Sequence, residues 1–112
     1  MDKLNSYPEL DFHRESTRRH NHHLLVARIT KGSRDEFIRR MADRHGVQCA
    51  VQYYPLYRYS FYKRLGFDKA ECPNTDLFFD NMISFPFSHS LTSNQINYMV
   101  ESSKQVLDSI SK

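Results

Sequence analysis

Residues 24–45 read LLVARITKGSRDEFIRRMADRH, and this stretch decides the class of fold. Its first part, Leu24–Ile29, is a short apolar run with β-branched side chains, which is typical of a buried strand. Lys31-Gly32 then ends the run, because glycine is unfavourable inside a regular element. A helical pattern follows at once, so the stretch predicts a fold that combines sheet and helix.

The second part of the stretch predicts a helix near Arg34–His45. Ser33 and Glu36 have the spacing of a capping box, in which each side chain bonds the backbone N–H of the other residue. Phe37 and Met41 lie one helical turn apart and supply an apolar face for packing. The helix is therefore expected to cover one side of a sheet.

Two more strands are predicted downstream. The apolar residues Val47, Cys49 and Val51 alternate with Gln48, Ala50 and Gln52, which indicates a half-buried strand. A brief strand stopped by a proline follows later. The predicted sheet consists of Leu24–Ile29, Gln48–Tyr53 and Ile83–Phe85, and the sequence leaves the strand directions open.

A long helix near Ser93–Ile110 completes the fold. Thr92 and Gln95 form a second capping box, and apolar residues recur behind it at helical spacing. Shorter helices are predicted over Ser60–Leu65 and after Cys72. The fold class is α+β, a small two-layer domain with a sheet of about three strands covered by helices. The predicted core contains Leu25, Val26, Ile29, Phe37, Met41, Val51, Phe85, Ile96, Val100 and Leu107.

The length of 112 residues fits one domain. Residues 1–19 mix charged, serine, asparagine and proline residues without a clear period, and they are interpreted as a lead-in or partly disordered linker. Residues 20–112 are then the folded domain. The net charge of +3 is small for a dedicated nucleic-acid binder, so nucleic acid is disfavoured as a partner.

Several functional classes lack their signals. No apolar run approaches the roughly 20 residues that span a bilayer. No signal peptide is recognisable either, so a cytoplasmic protein without a membrane partner is expected. Cys49 and Cys72 have no metal or redox spacing. His20 and His22 would share a strand face, but nothing completes a ligand shell, so no metal site is predicted.

Residues 51–66, VQYYPLYRYSFYKRLG, contain five of the seven tyrosines of the chain, with Arg58, Lys63 and Arg64 among them. Tyrosine packs well through its ring but needs a partner for a buried hydroxyl, so clustered tyrosines are typical of half-wet interfaces. Three interpretations stay open. The segment packs on its own domain, binds nucleic acid, or meets either another domain or an anionic small substrate.

Five segments, in order, resemble the carboxy-terminal domain of the DegT/DnrJ/StrS-type sugar-nucleotide aminotransferases. They cover His23 to about Ile110 and read HLLVARI, SRDEFIRRM, GVQCAVQYYPLYRYSFYKRLGF, CPNTDLFFDNMISFPF and SLTSNQINYMVESSKQVL. Members of this family are pyridoxal-phosphate enzymes of the aspartate-aminotransferase fold. The resemblance thus implies that residues 20–112 are the small domain of a transferase in cytoplasmic polysaccharide biosynthesis.

The resemblance also implies what this chain lacks. In the family, the Schiff-base lysine, the aspartate that pairs with the cofactor ring nitrogen and the aromatic residue stacked on the ring belong to the large amino-terminal domain. No lysine of this chain occupies that motif. The chain is expected to be a domain fragment that is inactive and binds no cofactor alone. The full enzyme is expected to bind pyridoxal phosphate, to act on a nucleotide-linked keto-sugar and to form a homodimer.

The resemblance places the substrate contacts on the tyrosine-rich loop. Where the family often has His-Tyr-Pro-Pro-Leu-His, this chain has Gln52–Tyr57, so hydrogen bonding to substrate is implied and proton transfer is not. No catalytic residue is predicted, and the predicted substrate-binding residues are Gln52, Tyr53, Tyr54, Tyr57 and Arg58. The polar ends of Tyr53, Tyr54, Tyr57 and Arg58 are expected to be exposed, with Leu56 and Tyr62 anchoring the loop. The alternative is a free-standing binding module that uses this loop on a protein or nucleic acid.

Overall fold

A computed structural model describes residues 3–13 and 21–111. Within these ranges the chain forms three strands and four α-helices. In chain order they are β1 (Leu10–Phe12), β2 (Leu25–Ile29), α1 (Arg34–His45), α2 (Ser60–Arg64), α3 (Pro73–Asn81), β3 (Met82–Phe85) and α4 (Ser93–Ile110). Short 3₁₀ turns at Leu56–Arg58 and Phe67–Lys69 lie on either side of α2.

The sheet has the order β1-β2-β3, and both pairings are antiparallel. In the register, Leu10 lies opposite Ile29 on one edge of β2, while Leu25 lies opposite Phe85 on the other. The predicted α+β class with a three-stranded sheet is confirmed. The structure also supplies the strand directions that the sequence left open.

The predicted strand over Gln48–Tyr53 is wrong. Only Ala50 pairs with the sheet, through an isolated bridge in which its N–H donates to the Ser84 carbonyl (2.9 Å) and its carbonyl accepts from the Ser84 N–H (2.8 Å). Val47 and Cys49 are buried, so the alternation correctly indicated one inward face. β3 is only four residues long, and its second edge forms no ladder with this segment beyond that bridge.

The third strand of the sheet is β1, which lies inside the segment interpreted as a lead-in. Leu4, Leu10 and Phe12 are all buried, and the edge strand is only three residues long. The alternation of so short a segment carries almost no signal, since strands are recognised over four or more residues. Pairing with β2 creates this strand. Leu10–Phe12, within the segment interpreted as a lead-in or partly disordered linker, is therefore a strand of the sheet, while 14–19 lie outside the described residues.

Helices α1 and α4 contact each other and share one apolar core with the sheet. Phe37 and Met41 of α1 are fully buried, and the Phe37 ring meets the Phe85 ring edge-on with centroids 6.1 Å apart. Val106 and Leu107 of α4 are also buried in this core. Among the described residues, no helix combines the length and apolar character needed to cross a bilayer.

The capping signals have different outcomes. Thr92 and Gln95 form the full box, with each side chain bonded to the backbone N–H of the other. Ser33 accepts from the Glu36 N–H (3.3 Å), but the Glu36 carboxylate pairs with Arg39 and Arg40. Those charge-assisted bonds replace the return bond to the Ser33 backbone.

Three residues of the predicted core lie elsewhere. Val26 is half-buried because β2 alternates, with Leu25, Ala27 and Ile29 facing inward. Val51 is half-buried just beyond the Ala50 bridge. Ile96 lies in the first turn of α4 and is 40% exposed. The other predicted core residues, Leu25, Ile29, Phe37, Met41, Phe85, Val100 and Leu107, are all buried.

Two isoleucine variants test this core. Ile83→Ala removes a fully buried side chain of β3 and is expected to lower the free energy of unfolding by about 2–5 kcal/mol, because a cavity remains. Ile96→Ala removes the same atoms from an exposed site and is expected to cost less than about 1 kcal/mol. Urea titration followed by circular dichroism measures both. Equal losses in the two variants would contradict this core.

Candidate functional site

The residues between the Ala50 bridge and β3 differ in packing from the rest of the chain. Residues 53–81, here called the aromatic segment, contain five of the seven tyrosines and four of the eight phenylalanines. Pro55 is nevertheless the one buried residue of this segment, all of which the structure describes. The segment therefore carries many large rings without a core of its own.

Polar contacts attach the first part of the aromatic segment to α3. The Tyr57 hydroxyl donates to an oxygen of Asp76 (2.5 Å), and Arg58 Nε donates to the same oxygen (3.0 Å). Arg58 Nη1 reaches the carboxylate of Asp80 (3.0 Å). Asp76 and Asp80 are four residues apart and share one face of the helix, so a single guanidinium can span both.

The ring of Phe79 lies beside this polar cluster. The guanidinium carbon of Arg58 is 5.1 Å from the ring centroid, and that of Arg34 is 5.5 Å away, both within cation–π range. Arg34 also donates to the carbonyls of Phe79 (2.9 Å) and Met82 (3.2 Å) at the end of α3. Tyr54 meets the same ring edge-on, with centroids 5.3 Å apart. The loop, α3 and the start of α1 are thus joined through one side chain.

The hydrogen bonds of this cluster shift the pKa of Asp76, Tyr57 and Arg58. The bonds from Tyr57 and then from Arg58 lower the pKa of Asp76, because they stabilise the carboxylate. The bond from Tyr57 to Asp76 also raises the pKa of Tyr57 to about 12. A phenolate could no longer donate this bond and would lie beside the negative carboxylate. Bonds to Asp80 and Asp76 raise the pKa of Arg58. The cluster therefore keeps Arg58 charged and paired with anions.

The predicted substrate-binding residues do lie together on one loop, but their polar groups differ in availability. Tyr53 is 67% exposed, and no hydrogen bond joins its hydroxyl to any residue that the structure describes. Tyr54 is 42% exposed and packs edge-on against Tyr59, with centroids 4.8 Å apart. Gln52 is half-buried, and the peptide bond between Gln52 and Tyr53 is cis. Tyr53 presents the phenol group with the greatest freedom to bind a ligand.

The expected exposure of the other two polar ends is wrong. Tyr57 and Arg58 are half-buried, and their polar groups bond carboxylates of α3. Leu56 is 64% exposed and does not anchor the loop, whereas its neighbour Pro55 is buried. Tyr62 is half-buried between neighbouring rings. The carboxylates that bond Tyr57 and Arg58 lie at least 18 residues away along the chain, so local sequence patterns could not reveal these bonds.

Asp76 and Asp80 were missed by the sequence reasoning. Their spacing of four residues on a predicted helix, close in sequence to a tyrosine- and arginine-rich loop, was a usable signal. The aromatic segment also exposes large apolar side chains on both sides of α2 and on α3: Leu56, Phe61, Leu65, Phe67, Leu77 and Phe78. Such exposure is typical of surfaces that other protein covers.

The described residues provide no internal site for a lysine-bound cofactor or a metal. All lysines that the structure describes are exposed: Lys3, Lys31, Lys63, Lys69 and Lys104. Within residues 3–13 and 21–111, no three His, Cys, Asp or Glu side chains gather as metal ligands. His20, one member of the histidine pair considered from sequence, lies outside these ranges.

Comparisons with known proteins give a family and several structural relatives. The sequence profile of the DegT/DnrJ/EryC1/StrS aminotransferase family matches residues 1–104. A search among curated protein sequences finds no significant match. Among solved structures, the putative sugar aminotransferase Spr1654 from Streptococcus pneumoniae, in its PMP form, is 27% identical with a TM-score of 0.84. The alignment covers 96% of this chain and 29% of that structure.

Two further structures support the same fold. The PLP form of Spr1654 is 28% identical with a TM-score of 0.82, over 96% of this chain and 29% of that one. Helicobacter pylori PseC, an aminotransferase involved in the biosynthesis of pseudoaminic acid, is 20% identical with a TM-score of 0.82. That alignment covers 97% of this chain and 30% of PseC. The chain thus spans about three-tenths of the length of these relatives.

The lowered pKa of Asp76 predicts an acid-dependent stability. Compared with Asp76→Asn, the native chain is expected to have its full stability advantage above the ordinary carboxyl pKa of 3.8. The advantage should disappear as the pH falls through the lower pKa of the folded state, because protonation breaks the bonds to Tyr57 and Arg58. Urea midpoints between pH 2 and 7 measure the difference. Asp68→Asn, which removes an exposed carboxylate of the same segment, is the matched control, and a pH-independent difference for Asp76→Asn would contradict the prediction.

Proposed function

The chain belongs to the DegT/DnrJ/EryC1/StrS aminotransferase family, and from this premise we propose that it forms the small domain of a pyridoxal-phosphate-dependent aminotransferase that acts on nucleotide-linked keto-sugars. The single observation that carries the proposal is the family match over residues 1–104. The fold shared with Spr1654, a putative sugar aminotransferase, supports it. We assign the protein to the cytoplasm on the same basis.

The proposed partner is a larger domain that carries the cofactor. The chain corresponds to about three-tenths of the relatives, so most of such an enzyme would lie outside it. The apolar side chains exposed along the aromatic segment suit a protein interface, and the exposed lysines do not suit an enclosed cofactor. A homodimer of the complete enzyme is part of the proposal.

The role of this domain would be to bind and orient the substrate. Pyridoxal phosphate, when bound in the complete enzyme, supplies stabilisation of negative charge on carbon. The loop of residues 52–58 contributes the Tyr53 hydroxyl and the Gln52 amide, which can donate to and accept from sugar hydroxyls. Tyr54 offers a ring edge and a hydroxyl beside them. These groups would bind the sugar, and no proton transfer is proposed for the residues of this chain.

A loop variant tests the substrate role in the full-length protein, expressed with everything its gene encodes. Tyr53→Phe removes one hydrogen-bonding hydroxyl and is expected to weaken nucleotide-sugar binding about two- to tenfold while leaving cofactor content unchanged. Tyr98→Phe, which removes a hydroxyl from α4, is the control. Calorimetry with uridine- and thymidine-diphosphate sugars measures the affinity. A gene that encodes no cofactor domain, or equal affinities for native and Tyr53→Phe proteins, would favour the binding-module alternative.

The 112-residue chain alone is expected to bind no cofactor covalently. A stable link to pyridoxal phosphate requires an enclosed lysine with supporting groups, and the described lysines are all exposed. Purified chain mixed with equimolar cofactor at neutral pH should therefore show only the absorbance of the free cofactor. A stoichiometric shifted band that one lysine substitution abolishes would contradict the small-domain proposal.

A further inference from the structure

We propose that Arg58 is a positioning residue that holds the loop of Tyr53 and Tyr54 against α3, and that it does not contact an anionic group of the substrate. The proposal rests on the proposed function for what the loop binds. It concerns a residue that the sequence alone favours as a phosphate ligand, because arginine forms forked bonds to phosphate oxygens. The contacts of Arg58 within the chain point to the other role.

The charges around Arg58 disfavour an incoming anion. Its guanidinium is bonded to Asp76 through Nε and Nη2 and to Asp80 through Nη1, so each of its three nitrogens already has an acceptor. One positive charge faces two carboxylates, and the cluster is net negative. A diphosphate approaching this group would meet repulsion and would have to displace a charge-assisted bond.

The geometry connects Arg58 to Tyr54 through the Phe79 ring. Its guanidinium lies over the Phe79 ring, and Tyr54 contacts that ring edge-on. The side chain of Arg58 is 25% exposed. Between Tyr54 and Arg58 the backbone forms a tight turn in which the Arg58 N–H donates to the Pro55 carbonyl (3.0 Å). Holding Arg58 therefore holds the turn that begins just after Tyr54.

The two roles predict opposite effects of removing Asp76. If Arg58 contacts a substrate anion, Asp76→Ala frees Nε and Nη2 of the guanidinium and removes a repulsive charge, so binding tightens. If Arg58 positions the loop, Asp76→Ala removes the Tyr57 bond and two of the three Arg58 bonds and leaves only the bond to Asp80, so the loop loosens and binding weakens. The sign of this one change separates the two roles.

The experiment uses the full-length protein with Arg58→Ala, Asp76→Ala, the double variant and Arg58→Lys, and uridine- and thymidine-diphosphate sugars as probes in calorimetry. Each alanine variant is expected to weaken binding at least threefold. The double variant should bind no more weakly than the single variant with the lower affinity, because both substitutions disrupt the same Arg58–Asp76 pair. Arg58→Lys is expected to resemble Arg58→Ala, since lysine cannot fork across two carboxylates. Tighter binding by Asp76→Ala, or binding by Arg58→Lys like that of the native protein, would overturn the proposal.

A ligand-independent measurement accompanies the titrations. Hydrogen exchange at the amides of Arg58 and Tyr59, which bond the Pro55 and Leu56 carbonyls, is expected to accelerate at least tenfold in the alanine variants. Exchange in α1 and α4 should stay unchanged, which shows that the variants fold. Arg39→Ala, which removes another arginine paired with two carboxylates, is the matched control and should leave the loop unchanged.

This readout separates the failure of the two proposals. If the native protein binds neither diphosphate sugar, the substrate assignment of the proposed function fails. Accelerated exchange confined to the loop would then still support Arg58 as the residue that holds it. Unchanged exchange in Arg58→Ala would overturn that role whatever the titrations give.

Discussion

The structure depends on β2 being paired along both of its edges. Its inward face carries the small Ala27, which is almost fully buried, and the rings of Phe12 and Phe85 from the two neighbouring strands stack with centroids 6.2 Å apart. Phe37 closes on Phe85 from α1. Without both pairings the rings would have no common position, and α1 and α4 would lose the surface that they cover.

The aromatic segment is built by a different balance of forces. It begins beyond the Ala50 bridge and returns to the sheet at β3, and between these points it buries almost nothing. Its position depends on Arg34 and Arg58, whose guanidiniums lie near the Phe79 ring and whose donors reach α3. The apolar core thus supports a mostly exposed aromatic segment, which charge-assisted bonds hold in place. Function is expected in the open part, because a fold places a site without defining its chemistry.

The features of this fold that depend on neighbouring residues could be predicted from the sequence. Ser33 and Thr92 marked the helix starts, and the stripe behind Thr92 located α4, because a helix is stabilised by contacts within one or two turns. The residues of β2 were recognised for a similar reason, as a compact apolar run. The resemblance of five short segments then placed the chain in its family, which the profile match confirms.

Tertiary structure decided which strands pair and which polar groups remain free. Leu10–Phe12 is a strand because β2 offers it an edge, whereas Gln48–Tyr53 is not, although its alternation is clearer. Arg58 is held because Asp76 and Asp80 come within reach only after α3 packs beside the loop. The sequence by itself determined the local elements and the concentration of rings in residues 53–81. Strand pairing and the ion pairs of Arg58 join residues that are distant along the chain, so these interactions stabilise the protein only once it has folded.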